Sequence, residues 1–373
     1  MGRERCKESA LDSFHGNLLY EQAVPPDHFL VKLGQVVDWS KFTRKFLKYY
    51  KGQGKLGQAP YNPTLILKML LLSYLFNVSE RQTEEIVNDS LSAKYFVGIA
   101  ANMRAPDHST LTVFKNRLIE EEGIKAYESL FNEIIKIAQE KGVRFGKVQI
   151  IDSVHVVADV NIEKDDRRQK RGESPRDKDA TWGAKGEKVV VGKDGSKGKK
   201  MEYFYGYKDQ VSFNAEAEMI TSLKPGYGDE YDGRWLPYLV ERDLKKGIEV
   251  GTVAADRGYD DGENHYYLEQ KGINSAIRLK DIRIAKKDGN KQGWIKLKES
   301  QEYQDGLKER YKIERKFGEM KKWHEFGRCR YIGLVKHAIQ LFLTSIAVNL
   351  KRMVKLLTGI SFRDEISSYQ KAT

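Results

Sequence analysis

The chain has 373 residues, 65 Lys and Arg against 53 Asp and Glu, a formal net charge of +12 and 40% hydrophobic residues. That length exceeds the roughly 250–300 residues one hydrophobic core organises, so two or three folded units are expected, and the apolar content excludes a disordered chain. Its two cysteines, Cys6 and Cys329, lie too far apart in sequence for a disulfide scaffold or a thiolate zinc cluster, which suits a reducing compartment.

Residues 1–16 lack the apolar core of a signal peptide, and the greasiest helical stretches contain or adjoin Lys68, Ser73, Lys336, His337 and Gln340, so a cytoplasmic protein without a membrane span is expected. Residues 1–60 mix polar and aromatic positions around Pro25, Pro26 and the stretch 52–60, and read as an N-terminal arm and loop. Asn62-Pro63 is an N-cap followed by proline at the first helical position. The run Leu65, Leu67, Met69, Leu70, Leu71, Leu72, Leu75 and Phe76 is apolar nearly all round, as in a core helix. Ser79 with Gln82 fits a capping box opening a polar helix to about Asp89, and Asp107 and Ser109 can cap a third helix over about 110–121. This spacing suggests a helix-turn-helix that either contacts DNA or belongs to an ordinary bundle, so 61–142 are expected as a helical DNA-binding domain.

After a further helix over about 124–141, the run Val148-Gln149-Ile150-Ile151 changes the pattern to strand. More β-like runs cover 203–213, 217–223, 250–255 and 275–279, separated by helical patterns at 235–246 and 262–271. Residues 161–200 hold few apolar side chains and many charges and glycines, and read as a mobile excursion with no assigned structure; 280–306 read the same way. A helical pattern then runs from about 307 to 357, broken near Gly327. The expected second domain is therefore mixed α/β over 143–357, followed by a tail at 358–373.

Positive charge attracts phosphate, and in a cytosol the abundant polyphosphates are nucleic acids. Residues 307–360 alone carry 13 Lys and Arg against 4 Asp and Glu, which makes either a nucleic-acid surface or a solvated helix face. Three acids stand out against this background. Asp152 directly follows the first apolar strand and Asp256 the run 250–255, where α/β folds place their sites; each could equally bond nearby amides or cap a turn. Glu314 shares a helix face with Arg310 and Lys321, which an ordinary salt-bridged helix would also explain. If the three carboxylates converge, mutual repulsion calls for divalent cations between them, and hard oxygen ligands select Mg²⁺ or Mn²⁺. Two such ions support in-line displacement at a phosphodiester, with Arg310 and Lys321 facing the DNA backbone.

The run IIDSV around Asp152, FYGYKDQVSFNAEAEMI with its Gly206-Tyr207-Lys208, ADRGYD around Asp256, and R-x3-E-x6-K at Arg310, Glu314 and Lys321 resemble bacterial insertion-sequence transposases. These carry a DDE active site on a ribonuclease-H-like core. The tyrosine that often stands three residues before that arginine is Leu307 here. LLSYLFNVSERQTEEIV and APDHSTLTVFKNRL resemble the helical N-terminal domain that precedes the core. The resemblance implies a ribonuclease-H-like mixed sheet flanked by helices behind an all-α domain. It implies Asp152, Asp256 and Glu314 as catalytic metal ligands for two Mg²⁺ or Mn²⁺ ions, with no organic cofactor. It further implies cleavage of double-stranded DNA at element ends, attack of the 3′-hydroxyl on target DNA, and action at the nucleoid as a dimer or larger assembly. A non-catalytic regulator derived from such an enzyme, or a nuclease or resolvase that cuts without joining, shares the same core. Trp182 and Trp294, in the two excursions, could stack on bases or pack locally. His155, three residues past Asp152, points to the opposite strand face and is not expected as a ligand.

Overall fold

The computed structural model describes residues 14–50, 60–191, 197–285 and 289–362, in two units: one from 1–143 with 343–373, the other from 144–342. In the first, the stretch expected as an arm is helical: α1 (Phe14–Ala23), α2 (Phe29–Val36) and α3 (Ser40–Leu47). Phe29, Leu33, Phe42 and Phe46 are fully buried, and Trp39 meets the Phe96 ring edge-on at 5.5 Å. Burial holds these helices, and at eight to ten residues each they are too short to display a clear period. The glycine-rich loop at 52–59 and Cys6 lie outside the described residues.

α4 (Pro63–Leu75) begins as its sequence requires, with the Asn62 side chain accepting the Thr64 amide, and is buried on nearly every side. α5 (Glu80–Asp89) opens with the reciprocal Ser79/Gln82 capping box. α6 (Leu91–Val97) had no sequence counterpart because its single exposed-to-buried cycle fills only seven residues. α7 (His108–Glu122), capped by Asp107, and α8 (Ile124–Glu140) complete the series.

The second unit contains β1 (Val148–Val157), α9 (Ile162–Lys170), β2 (Thr181–Val191), β3 (Lys197–Asn214), β4 (Met219–Lys224), α10 (Leu236–Lys245), β5 (Thr252–Ala255), α11 (Gly262–Gln270) and β6 (Asn274–Ile277). Then come α12 (Asp281–Ile284), α13 (Lys291–Glu299), α14 (Gln301–Glu309), α15 (Tyr311–His324) and α16 (Leu334–Thr358), whose residues from Leu343 group with the first unit. The sheet runs β2-β3-β1-β5-β6, with β4 also on β3; β1 is antiparallel to β3 and parallel to β5, and β5 is parallel to β6. This is the ribonuclease-H-like mixed sheet that the motifs implied. Leu236, Leu239 and Val240 of α10 and Leu268 of α11 pack with Ile151, Val253, Ala255 and Ile277 of the strands.

Both stretches expected as mobile excursions hold regular structure. Residues 161–200 include α9 and β2, and 280–306 include α12, α13 and most of α14. β2 carries no alternating pattern because most of it has no core on either face. α14 lies on the sheet so closely that a methyl group at Gly306 would stand 2.6 Å from Ala276 Cβ. Trp182 leans on Tyr205 at 5.4 Å, and Trp294 packs on His265 at 4.8 Å with the Arg283 guanidinium over its ring.

Candidate active site

β1 and β5 run parallel with Ile151 opposite Ala255, so Asp256, just past the end of β5, stands beside Asp152; the strand expected to end at Ile151 instead continues through Asp152 to Val157, because β3 pairs with it that far. Strand spacing there is about 4.8 Å. The Asp152 side chain is only 15% exposed. Burial, and then the nearby Asp256 charge, push its carboxyl up to about 7, while Arg310 pulls the other way. Each aspartate also serves its own backbone: Asp152 accepts the Ser153 amide at 2.8 Å and Asp256 the Gly258 amide at 2.8 Å. The local bonding that the sequence allowed therefore coexists with the close approach of the two acids.

Glu314 lies on the first turn of α15 with a side chain 63% exposed. One terminal nitrogen of Arg310 lies 3.7 Å from Asp152 Oδ2 and 3.8 Å from Glu314 Oε1, so the guanidinium links the helix-borne acid to the strand-borne pair. The three carboxylates do not share a point within 4.8 Å. Among the described residues the group that does is Glu84, Asp107 and His108 in the first unit. Helix capping accounts for that group: Glu84 accepts the His108 amide and ring at 2.8 Å each, and Asp107 caps α7.

Lys321 lies within the electrostatic reach of Asp152. Burial and the like charge of Lys185 hold its ammonium below the usual lysine value, and Asp152 opposes them. His155 packs its ring 5.0 Å from Phe204, and burial, helped by Lys321 and Lys185, pushes its imidazole down to about 4.

The Gly206-Tyr207-Lys208 run acquires a separate reason for each residue. Gly206 passes so near β1 that a methyl group there would stand 2.1 Å from the Val156 carbonyl oxygen. Tyr207 is fully buried and donates its hydroxyl to Asp177 at 2.7 Å. Lys208 reaches Asp232 at 3.1 Å.

Asp232 is the acid that sequence reasoning missed. Its Oδ1 also accepts Gln210 Nε2 at 2.7 Å, and Gln210 in turn accepts the buried Tyr259 hydroxyl at 2.5 Å. A methyl group on Gly258 would stand 2.9 Å from Asp256 Oδ1 and 3.7 Å from Asp232 Oδ2, so the two carboxylates flank one glycine. Asp232 also raises the Asp152 carboxyl. Its sequence neighbourhood, GDEYDGRW, is an acidic turn with no strand leading into it, and gave no signal.

This donor set suits a hard divalent cation. Asp152, Asp256 and Asp232 lie near one another, Glu314 is joined to Asp152 through Arg310, and Asp152 is burdened by burial and by like charge. Arg310 Nε is buried without a hydrogen-bond partner, so the guanidinium present there does not saturate the site.

A ribonuclease-H-like sheet with aspartates side by side on neighbouring parallel strands, and a glutamate on a following helix, defines the class of carboxylate-site enzymes and their relatives on that fold. Residues 145–350, more than half of the chain, match the family model described as Transposase DDE domain, and residues 18–117 match Transposase domain (DUF772). The chain belongs to the DDE transposase family, with a helical transposase domain ahead of the DDE domain. Among the described residues no helix is long and apolar enough to cross a membrane.

Proposed function

We propose that the protein cleaves double-stranded DNA at the ends of an insertion element and joins the freed 3′-hydroxyl to target DNA, with Asp152, Asp256 and Glu314 as catalytic metal ligands. The observation that carries this reading is the adjacency of Asp152 and Asp256 on neighbouring parallel strands, with Arg310 between Asp152 and Glu314. The three carboxylates would hold two Mg²⁺ or Mn²⁺ ions, which supply an activated hydroxyl nucleophile and stabilise the leaving oxygen. The remaining work falls to the chain itself. Arg310 and Lys321 place positive charge beside the carboxylates, where phosphate oxygens of the backbone would otherwise be repelled. Lys208 and Gln210 fix Asp232 by one oxygen, which keeps the loop carrying Gly258 against Asp256. DNA is the partner, and holding two element ends at once calls for at least a dimer.

The test is incubation of purified protein and Mg²⁺ with DNA carrying the native flanks of its own gene, scoring cut and joined products. Asp152→Asn, Asp256→Asn and Glu314→Gln are each expected to reduce both products by 10³-fold or about that, with duplex binding nearly unchanged. Retention of full activity by any one variant removes that residue from the site; cutting without joining reduces the assignment to a nuclease.

A further inference from the structure

β3 outruns the sheet. Its pairing with β1 ends at Val157 opposite Gly206, but β2 follows it onward until Val191 lies opposite Lys197. Residues 184–191 and 198–203 are exposed throughout, so a two-stranded ribbon with neither face covered projects past the carboxyl end of β1. Asp152 lies within β1, five residues before that end, and Asp256 directly follows the end of the neighbouring β5. A bare two-stranded ribbon is marginal in water, and this one also exposes Val189, Val190, Val191, Met201 and Tyr203.

Its charges make it worse as a free-standing element. Lys188 lies directly opposite Lys200, an arrangement that destabilises a strand pair. Among the described residues the ribbon's acids have other ion-pair partners: Glu202 pairs with Lys185 at 3.2 Å, while also feeling the charge of Lys188, and Glu187 pairs with Lys199 at 2.9 Å. Among the described residues no carboxylate is in salt-bridge contact with Lys188 or Lys200. Opposed pairs share a face, so Lys188 and Lys200 stand between Gly186/Glu202 and Val190/Gly198. A methyl group at Gly186 or Gly198 would meet nothing within 4 Å. The result is an open face with two opposed ammonium groups at its centre, the complement of closely spaced phosphates. Two strands about 4.8 Å apart fit a major groove about 12 Å wide.

We propose that this ribbon is a DNA-holding arm that lies in the major groove of the duplex whose backbone reaches the Asp152 site; the inference rests on the DNA-cleaving reading above. At about 3.3 Å per residue, Lys188 and Lys200 lie about 35–40 Å along the strand direction from Asp152, which is about one turn of duplex from the reacting phosphate.

The test measures binding of full-length protein to a duplex of several turns, without divalent ions, across a range of salt. The Lys188→Gln/Lys200→Gln double variant touches no core residue, and an unchanged thermal melt serves as its folding control. The expected result is a log–log salt slope smaller by about 2, close to 0.9 for each phosphate contact, and loss of groove protection about one turn from the cleaved phosphate. An unchanged slope with intact wild-type binding overturns the arm and leaves the DNA-cleaving reading standing. Wild-type protein that binds no duplex overturns both. Loss of self-association in the double variant, with the salt slope intact, reassigns the ribbon to contact between copies and also overturns the proposal.

Discussion

Gly206 shows what one absent carbon decides. A methyl group there would approach the Val156 oxygen to 2.1 Å and the Ala158 amide nitrogen to 2.8 Å. The β1 end cannot yield, because Val157 donates to the Gly327 carbonyl at 3.0 Å and Ala158 to the Tyr205 carbonyl at 2.9 Å. Gly206→Ala is therefore expected to lower stability by about 3 kcal/mol, read from the urea midpoint, whereas Gly198→Ala, which enters open space, should stay within about 0.5 kcal/mol. At this scale Asp152 and Asp256 stood out because an acid that directly follows an apolar run is conspicuous, although only Asp256 follows a strand end and Asp152 lies within β1. Asp232 was not legible, since its place beside Gly258 depends on where a loop passes after β4. The separation of Glu314 from the aspartates by Arg310 was equally invisible: helix spacing puts Arg310 and Glu314 on one face but says nothing of which partner the guanidinium meets across the fold.

Helices and strands announced themselves in proportion to how completely their own residues set their environment. α4, with a strong cap and apolar residues all round, and β5 and the first four residues of β1, with continuous apolar runs, could be placed from sequence; the rest of β1, through Asp152 to Val157, could not. The N-terminal helices could not, since each offers only about two turns of pattern; β2 could not, since it has no buried face to impose alternation. α4 also carries a cost that the pattern hides. Lys68 lies within it with its ammonium 5.2 Å from the Trp39 and Phe96 rings, and burial pushes it down to about 8 from the usual 10.5. Because the native value is below the unfolded one, the unfolded chain binds more protons between pH 8 and 10.5 and stability rises with pH through that window. Below pH 8 the burial penalty is present in full. Lys68→Met should raise Tm at neutral pH and flatten the rise between pH 8 and 10.5, as thermal melts over that range would show; an unaltered profile would place the slope in another group.

For the whole molecule, sequence order and folding unit diverge. The first unit combines residues 1–143 with 343–373, and the buried Phe362 ring sits 4.9 Å from Phe29 and 5.6 Å from Phe76. A fragment ending at residue 143 is expected to aggregate or stay partly unfolded, and fusion of residues 343–362 through a flexible linker to restore a cooperative melt. Phe362→Ala in the full chain should cost that unit about 3–5 kcal/mol. The amino-acid sequence by itself determined the helix caps, the apolar strand runs, the two aspartates that follow those runs and the family motifs, because each is written in residues a few positions apart whose local chemistry suffices. The tertiary structure alone decided that Asp232 joins those aspartates, that Arg310 stands between Asp152 and Glu314, that β3 outruns its sheet, and that α16 belongs in part to the first unit. These depend on contacts between residues tens to hundreds of positions apart, whose pairing is set by the packing of the whole and not by any local preference.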